Sequence, residues 1–389
     1  MLDRRTVVLG SLFLASAMPA ARAAEAAGAV TLLPTPNGGI QPQAAVDSHG
    51  GVHLIYYKGD AKAGDVFYVR MPPGETRFTA PIRVNSRPGS AIAMGTIRGA
   101  QIAVGAGDSV HVAWNGSDTA EPKGPGGNPM LYTRLNAAGT AFEPQRNLVT
   151  WAGGLDGGGT LAASGAGDVY VVWHGNPKRD GEENRAVYLA HSTDNGRNFA
   201  RERRINTVPT GVCGCCALRA FVDSGNRVYV FYRSATALIN RDMYLLTSAD
   251  RGATFRSEKI HPWNINACPM SSSSLTENRN GVQAAWETEK QVFFADFRAN
   301  GGGRLDGPII APPGGSGARK HPVVVANGKG QTLLAWTEGT GWSQGGSLAW
   351  QVYGPEGPLT ALRGRQTGVP VWGLLTAFAR PDGGFTLIY

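Results

Sequence analysis

Short runs that alternate apolar and polar positions, each closing on an aromatic residue, recur along the chain. They read VHLIY at 52–56, VHVAW at 110–114, VYVVW at 169–173, VYVFY at 228–232, VQAAW at 282–286, TLLAW at 332–336 and FTLIY at 385–389. Period-two alternation rich in β-branched and aromatic residues predicts a strand at each. The closing aromatics are 50 to 59 residues apart, a spacing that marks stacked supersecondary units. Weaker strand patterns fill each period in a fixed order. A first strand precedes the aromatic run (43–46, 100–104, 219–222, 323–326), a third follows it (66–71, 130–134, 187–191, 243–247), and a fourth closes the unit (81–84, 202–205). Four antiparallel strands repeated radially make a β-propeller. The expected fold is therefore all-β with seven blades, six being the alternative. The last blade is incomplete and is closed by 29–33 as its outer strand.

Two turns between third and fourth strands carry a recognisable motif. Ser192-Thr-Asp194-Asn-Gly196-Arg-Asn-Phe199 fits the Asp-box pattern S-x-D-x-G-x-T-[WF] except at Asn198, and Ser248-Ala-Asp250-Arg-Gly252-Ala-Thr254-Phe255 fits it throughout. Gly139-Thr-Ala-Phe142 keeps the glycine and the aromatic. Asp caps turn amides, Gly supplies positive φ, and the ring packs between strands. On these residues the chain resembles the bacterial exported sialidase-like propellers built from Asp-box (BNR) repeats. The resemblance implies that Asp194, Gly196, Asp250 and Gly252 are structural and that their hairpins lie away from the active face. The Arg-Ile-Pro motif that sialidases carry before the first blade has no counterpart here, since Pro81-Ile82-Arg83-Val84 falls in an outer strand.

Residues 1–23 read as a secretory signal: Arg4-Arg5, an apolar run at 7–18, and Ala21-Arg22-Ala23 as a small-x-small cleavage site. The paired arginines suit the twin-arginine route. A periplasmic or secreted protein follows, with 24–389 forming one propeller domain. No other apolar run approaches a membrane span. Losing three Arg and one Asp with the signal brings the net charge of +8 down to +6. With no basic run or recognition motif, that excess excludes a nucleic-acid binder. Because a closed propeller leaves no free sheet edge, a monomer is expected.

Propeller topology puts the lead-in to each first strand and the loops after each second strand on one face. Five arginines belong to this set: Arg98, Arg219 and Arg319 in lead-ins, Arg233 and Arg241 in or near loops. Guanidinium forks suit a carboxylate, and the sialidase resemblance implies an arginine cluster holding an acidic sugar. His174 and His321 join them as candidate substrate contacts. Hydrolysis needs a proton donor and an opposing nucleophile or base. Asp156, in a glycine-rich lead-in, is the first candidate for the donor, and Glu287, after Trp286, for the opposing role. Tyr57 and Tyr232 are candidates for the Tyr that, by the resemblance, a sialidase pairs with Glu.

All four cysteines fall in two adjacent lead-ins: Cys213, Cys215 and Cys216 in one, Cys268 in the next. An even count in an exported chain points to disulfides, one of them tying the cluster to Cys268. Soft-ion binding, Zn or Cu held by the thiolates, is the alternative, and a free catalytic thiol the third. No cofactor is certain from these residues. The leading reading is a sialidase-like exo-glycosidase acting on an acidic carbohydrate. Its alternatives are a uronate polysaccharide lyase, a non-catalytic glycan- or protein-binding propeller, and a metal-handling protein.

Overall fold

In a computed structural model of the protein, residues 29–95, 99–298, 302–315 and 317–389 are described. The signal segment and Arg98 lie outside them. Seven sheets are arranged as blades. Blade 1 is Ile40–Val46, Val52–Asp60, Ala63–Met71 and Ile82–Arg83. Blade 2 is Gln101–Val104, Val110–Asn115, Met130–Arg134 and Arg146–Asn147. Blade 3 is Thr160–Ala163, Val169–Gly175, Ala186–Ser192 and Arg203–Arg204. Blade 4 is Arg219–Val222, Val228–Arg233, Met243–Ser248 and Arg256–His261. Blade 5 is Ser273–Asn278, Gly281–Thr288, Gln291–Arg298 and Arg304–Ile310. Blade 6 is Arg319–Ala326, Thr332–Glu338, Gly346–Gly354 and Gly357–Val369. Each is antiparallel, with its strands in sequence order from the axis outward. Blade 7 has three strands: Thr376–Ala379 pairs antiparallel with Phe385–Ile388, and Val30–Leu33 adds to the latter in parallel. The ring is thus closed by the start of the described chain, as the strand pattern predicts. No helix among the described residues is long and apolar enough to cross a membrane.

Seven apolar clusters hold the ring, each joining two neighbouring blades. Blades 3 and 4 share Tyr170, Val172, Leu189, Val230 and Tyr232, while blades 7 and 1 share Ile388, Phe378, Leu54 and Tyr56. The closing tryptophans Trp114, Trp173 and Trp286 are at most 1% exposed. A buried indole N–H needs an acceptor. Trp173 donates to the Ala152 carbonyl at 3.0 Å and Trp286 to His261 Nδ1 at 2.9 Å, so the apolar anchors also tie second strands to neighbouring segments.

The Asp boxes form as their sequences require. Asp250 Oδ1 accepts the Thr254 N–H at 2.9 Å and the Ser248 hydroxyl at 2.7 Å, Oδ2 accepts the Thr254 hydroxyl, and Gly252 sits at φ 81°. Asp194 repeats the pattern, with the Asn198 amide in place of the Thr hydroxyl. Each box is also gripped from the preceding blade. Arg146 donates to the Gly196 and Arg197 carbonyls, and Arg203 to those of Gly252 and Ala253. These contacts register neighbouring blades on the face opposite the lead-ins.

Candidate functional site

The residues just past the aromatic anchors are buried. Tyr57, Asn115, His174, Arg233, Glu287 and Thr337 are 0 to 3% exposed and end their second strands beneath the lead-in face. Each must therefore find its partners inside the protein. Asn115 accepts the Gly159 N–H at 3.0 Å and donates to the Gly157 carbonyl at 2.5 Å, which shapes the glycine-rich lead-in around Asp156. His174 Nε2 accepts the Gly157 N–H at 3.0 Å, and its Nδ1 lies 3.2 Å from Arg185. Asp156 itself is half-buried. Its Oδ2 and Arg185 Nη1 stand 3.1 and 2.7 Å from where a Cβ on Gly214 would be, so a glycine lets the cysteine loop pass close to both.

That loop gathers three thiols. Cys213 Sγ is 3.2 Å from Cys216 Sγ and 3.4 Å from Cys215 Sγ, and the three lie within 4.8 Å of one another. The trio is close enough to hold a metal ion. The expected disulfide is not found: a bond requires about 2.05 Å, all four cysteines are free, and Cys268 is exposed and stands apart from the trio. Residues 213–216 make a tight turn, with Cys216 N–H on the Cys213 carbonyl, whereas Cys268 sits on an exposed stretch. Burial opposes ionisation of Cys216, but hydrogen bonds from the Cys213 and Cys215 thiols, the Arg233 charge and Ser271 hold it well below the ordinary thiol range. The other two thiols are pushed up: that of Cys215 by its sulfur neighbours and burial, that of Cys213 by Cys216 and burial against the lowering bond from Cys215.

The four candidate arginines among the described residues do not converge. Arg233, 2% exposed, donates to Ser271 Oγ at 2.8 Å, to the Arg241 carbonyl at 2.5 Å and to the Glu287 carbonyl, with its guanidinium over the Trp263 ring. Arg241 pairs with Glu182 at 2.7 Å. Arg319 is drawn away between blades 5 and 6, where the Pro312 and Pro313 carbonyls and Glu338 hold it over Trp336. Among the four described candidates, Arg219 alone reaches the axis. Both its terminal nitrogens lie 3.1 Å from Gln43 Oε1, and one also donates to Gln101 Oε1. Burial with no acidic neighbour lowers its pKa to about 10. It caps a channel of about 500 Å³ lined by the first strands and borders a pocket of about 50 Å³ toward the lead-in face, with Ser272, Ser273 and His321 on its wall.

Glu287 Oε1 accepts from Lys320 at 3.0 Å, while its Oε2 is buried with no hydrogen-bond partner among the described residues. Burial raises this carboxyl to about 7, against the opposing pull of Lys320 and Arg233. Lys320 and His321 are set by a β-bulge in the first strand of blade 6, where His321 takes φ 50°. Bulges re-aim side chains next to sites. His321 is buried, its Nδ1 3.2 Å from Ser272 Oγ, and desolvation lowers its pKa to about 3. Tyr57 and Tyr232 are packed inside their blades. The Tyr57 hydroxyl bonds to the Asp60 carbonyl and that of Tyr232 to Thr210, and burial raises both. Glu182, Arg185, Ser271, Gln43 and Gln101 carry no sequence signal of their own, while Lys320 stands between two residues that sequence reasoning did single out.

The fold defines a seven-bladed propeller of the sialidase-like kind. The chain is similar to an α-L-arabinanase from Penicillium chrysogenum solved with arabinobiose, at 12% identity over 84% of this chain and 96% of the other, with a TM-score of 0.53. It is similar to the Hadza microbial sialidase Hz136, at 12% identity over 82% and 69% of the two chains, TM-score 0.50. It is also similar to the Trypanosoma rangeli sialidase, at 10% identity over 85% of this chain and 57% of that one, TM-score 0.51. At these identities the likeness is one of fold. No family model and no curated protein matches the sequence.

Proposed function

We propose that this protein is an exported hydrolase acting on a glycan that carries a carboxylate, with its site on the lead-in face over blades 3 to 6. The observation that carries the reading is Arg219. A desolvated guanidinium at the axis, hydrogen-bonded only to neutral glutamine oxygens among the described residues, is a preformed anion site. The 50 Å³ pocket beside it, with Ser272, Ser273 and His321, suits a carboxylate rather than a sugar ring, so the ring would rest on the face above.

For chemistry, Glu287 suits the proton donor better than Asp156 does. A carboxyl raised to about 7 by burial stays protonated in about half of the molecules at neutral pH, which suits an acid catalyst. Asp156 then takes the opposing role, and Lys320 orients the Glu287 carboxyl through Oε1. The solved relatives whose names specify arabinanase and sialidase activities support a glycan-acting propeller. Residues 1–23 direct export in this reading. The test is release of reducing ends from sialyl- and uronate-terminated oligosaccharides by the wild type, R219M and E287Q. Acid-terminated substrates should be cleaved by the wild type and lost in both variants. Cleavage of neutral arabino-oligosaccharides that survives R219M would overturn the acidic substrate, and an ultraviolet-absorbing unsaturated product would replace the hydrolase by a lyase.

A further inference from the structure

The cysteine trio borders the proposed glycan site, since Gly214 within its loop passes close to Asp156, and its surroundings are specific. We propose that Cys213, Cys215 and Cys216 form a three-coordinate site for one Cu(I) ion. Three sulfurs bound at about 2.3 Å would stand about 3.8–4.0 Å apart. Two of the observed separations, 3.2 and 3.4 Å, are somewhat shorter than that, and all three sulfurs lie within 4.8 Å of one another. They need only tenths of an ångström of side-chain rotation to accept an ion. Zn(II) in a structural site takes four ligands. Among the described residues no fourth His, Cys, Asp or Glu atom joins the trio. A monovalent, thiophilic ion is satisfied by three thiolates.

The second observation is the charge beside the trio. Arg233 is buried and makes no ion pair with a carboxylate among the described residues; its hydrogen bonds go to Ser271 Oγ and two carbonyls. Ser271 then donates to Cys216 Sγ at 3.4 Å. The guanidinium is therefore relayed through one hydroxyl to a sulfur. Three thiolates around a monovalent ion carry two net negative charges, which a buried guanidinium partly neutralises. With a neutral trio, Arg233 would keep only its hydrogen bonds to neutral groups, the Trp263 ring and the nearby Glu287 carboxyl to offset its charge. Cys215, half-buried, is the member of the trio that reaches solvent. Loading replaces the thiol protons with the metal, one proton released per thiol that was still protonated, and no electron is transferred.

The test is anaerobic titration of the reduced full-length protein with Cu(I) alone against a chromophoric Cu(I) chelator, paired with a parallel titration with Zn(II) alone. One equivalent of Cu(I) should be withdrawn from the chelator. C213S and C216S should each weaken it at least 100-fold, and C268S should leave it unchanged. Because buried serines can disturb folding, C215S at the half-exposed position and X-ray absorption of the loaded wild type give independent readouts. Absorption should show three sulfur scatterers. No withdrawal, retention of the equivalent in C215S, fewer than three sulfurs, or tighter binding of Zn(II) than of Cu(I) would each overturn the assignment.

Discussion

Arg219 of blade 4 crosses the axis to Gln43 of blade 1, with both terminal nitrogens 3.1 Å from one amide oxygen. The contact places a full positive charge in a desolvated position against neutral dipoles. Such a charge costs folding free energy unless an anion arrives. Substituting Met for Arg219 is therefore expected to leave the melting temperature unchanged or raised. In the same variant, affinity for a carboxylated sugar should fall about 10- to 100-fold, the range for hydrogen bonds to a charged group. Differential scanning calorimetry and calorimetric titration check the two halves.

Glu287 gives a pH signature of definite sign. Its folded pKa of about 7 lies above the ordinary 4.5, so the folded state holds a proton that the unfolded chain has released. Its contribution is fully present below about pH 4.5 and is lost as pH rises through about 7, at most ~3 kcal/mol. E287Q should flatten the fall in stability over that window, and urea melts at pH 5 and pH 8 measure it.

Two buried histidines act in the opposite sense. Burial lowers His111 to about 4 and His321 to about 3, so the unfolded chain takes up protons first. Their contribution is present above about pH 6.5 and is lost as pH falls through these values. H111Q should reduce the slope of stability against pH between 6.5 and 4, whatever its effect on the absolute value. His111 is set between Tyr132 and Asn195 far from the lead-in face, so activity at pH 7 should change little.

Asp250 belongs to the other face. Replacing it by Ala removes acceptors for the Thr254 N–H, the Thr254 hydroxyl and the Ser248 hydroxyl. A loss of about 1–2 kcal/mol is expected, with kcat and KM unchanged. A fall in kcat in the folded variant would relocate the active face.

Gly214 separates packing from function. A methyl there meets the ends of two flexible side chains, Arg185 and Asp156, so the fold should tolerate G214A within about 1 kcal/mol. The displaced Asp156 carboxylate should lower kcat at least 10-fold with little change in KM. Equal activity in G214A would remove Asp156 from the reaction.

Much of this was legible from short range. Alternation in 169–173 or 228–232 needs only the strand period to be read, and an Asp box is complete within eight residues because Asp, Gly and the aromatic act on their own turn. Arg319 shows where local reading stops. It begins a first strand as Arg219 does, yet the bulge after it and the acceptors at Pro312, Pro313 and Glu338 draw it to the blade edge. Tyr57 follows its aromatic run and Tyr232 closes its own, positions that point toward the loop face, but both complete apolar clusters between blades.

The amino-acid sequence by itself determined the propeller, its seven repeats, the Asp-box turns and the face on which the lead-ins lie, because each depends on periodicity and on turn residues within a few positions. Only the tertiary structure decided that Arg219 meets Gln43 and Gln101, that Lys320 meets Glu287, and that three cysteines gather while Cys268 stays outside. The Arg219 and Lys320 contacts join blades up to 176 positions apart, whereas the trio is set by one tight turn. Their distances follow from ring closure and from bulges, whose long-range geometry no local pattern encodes.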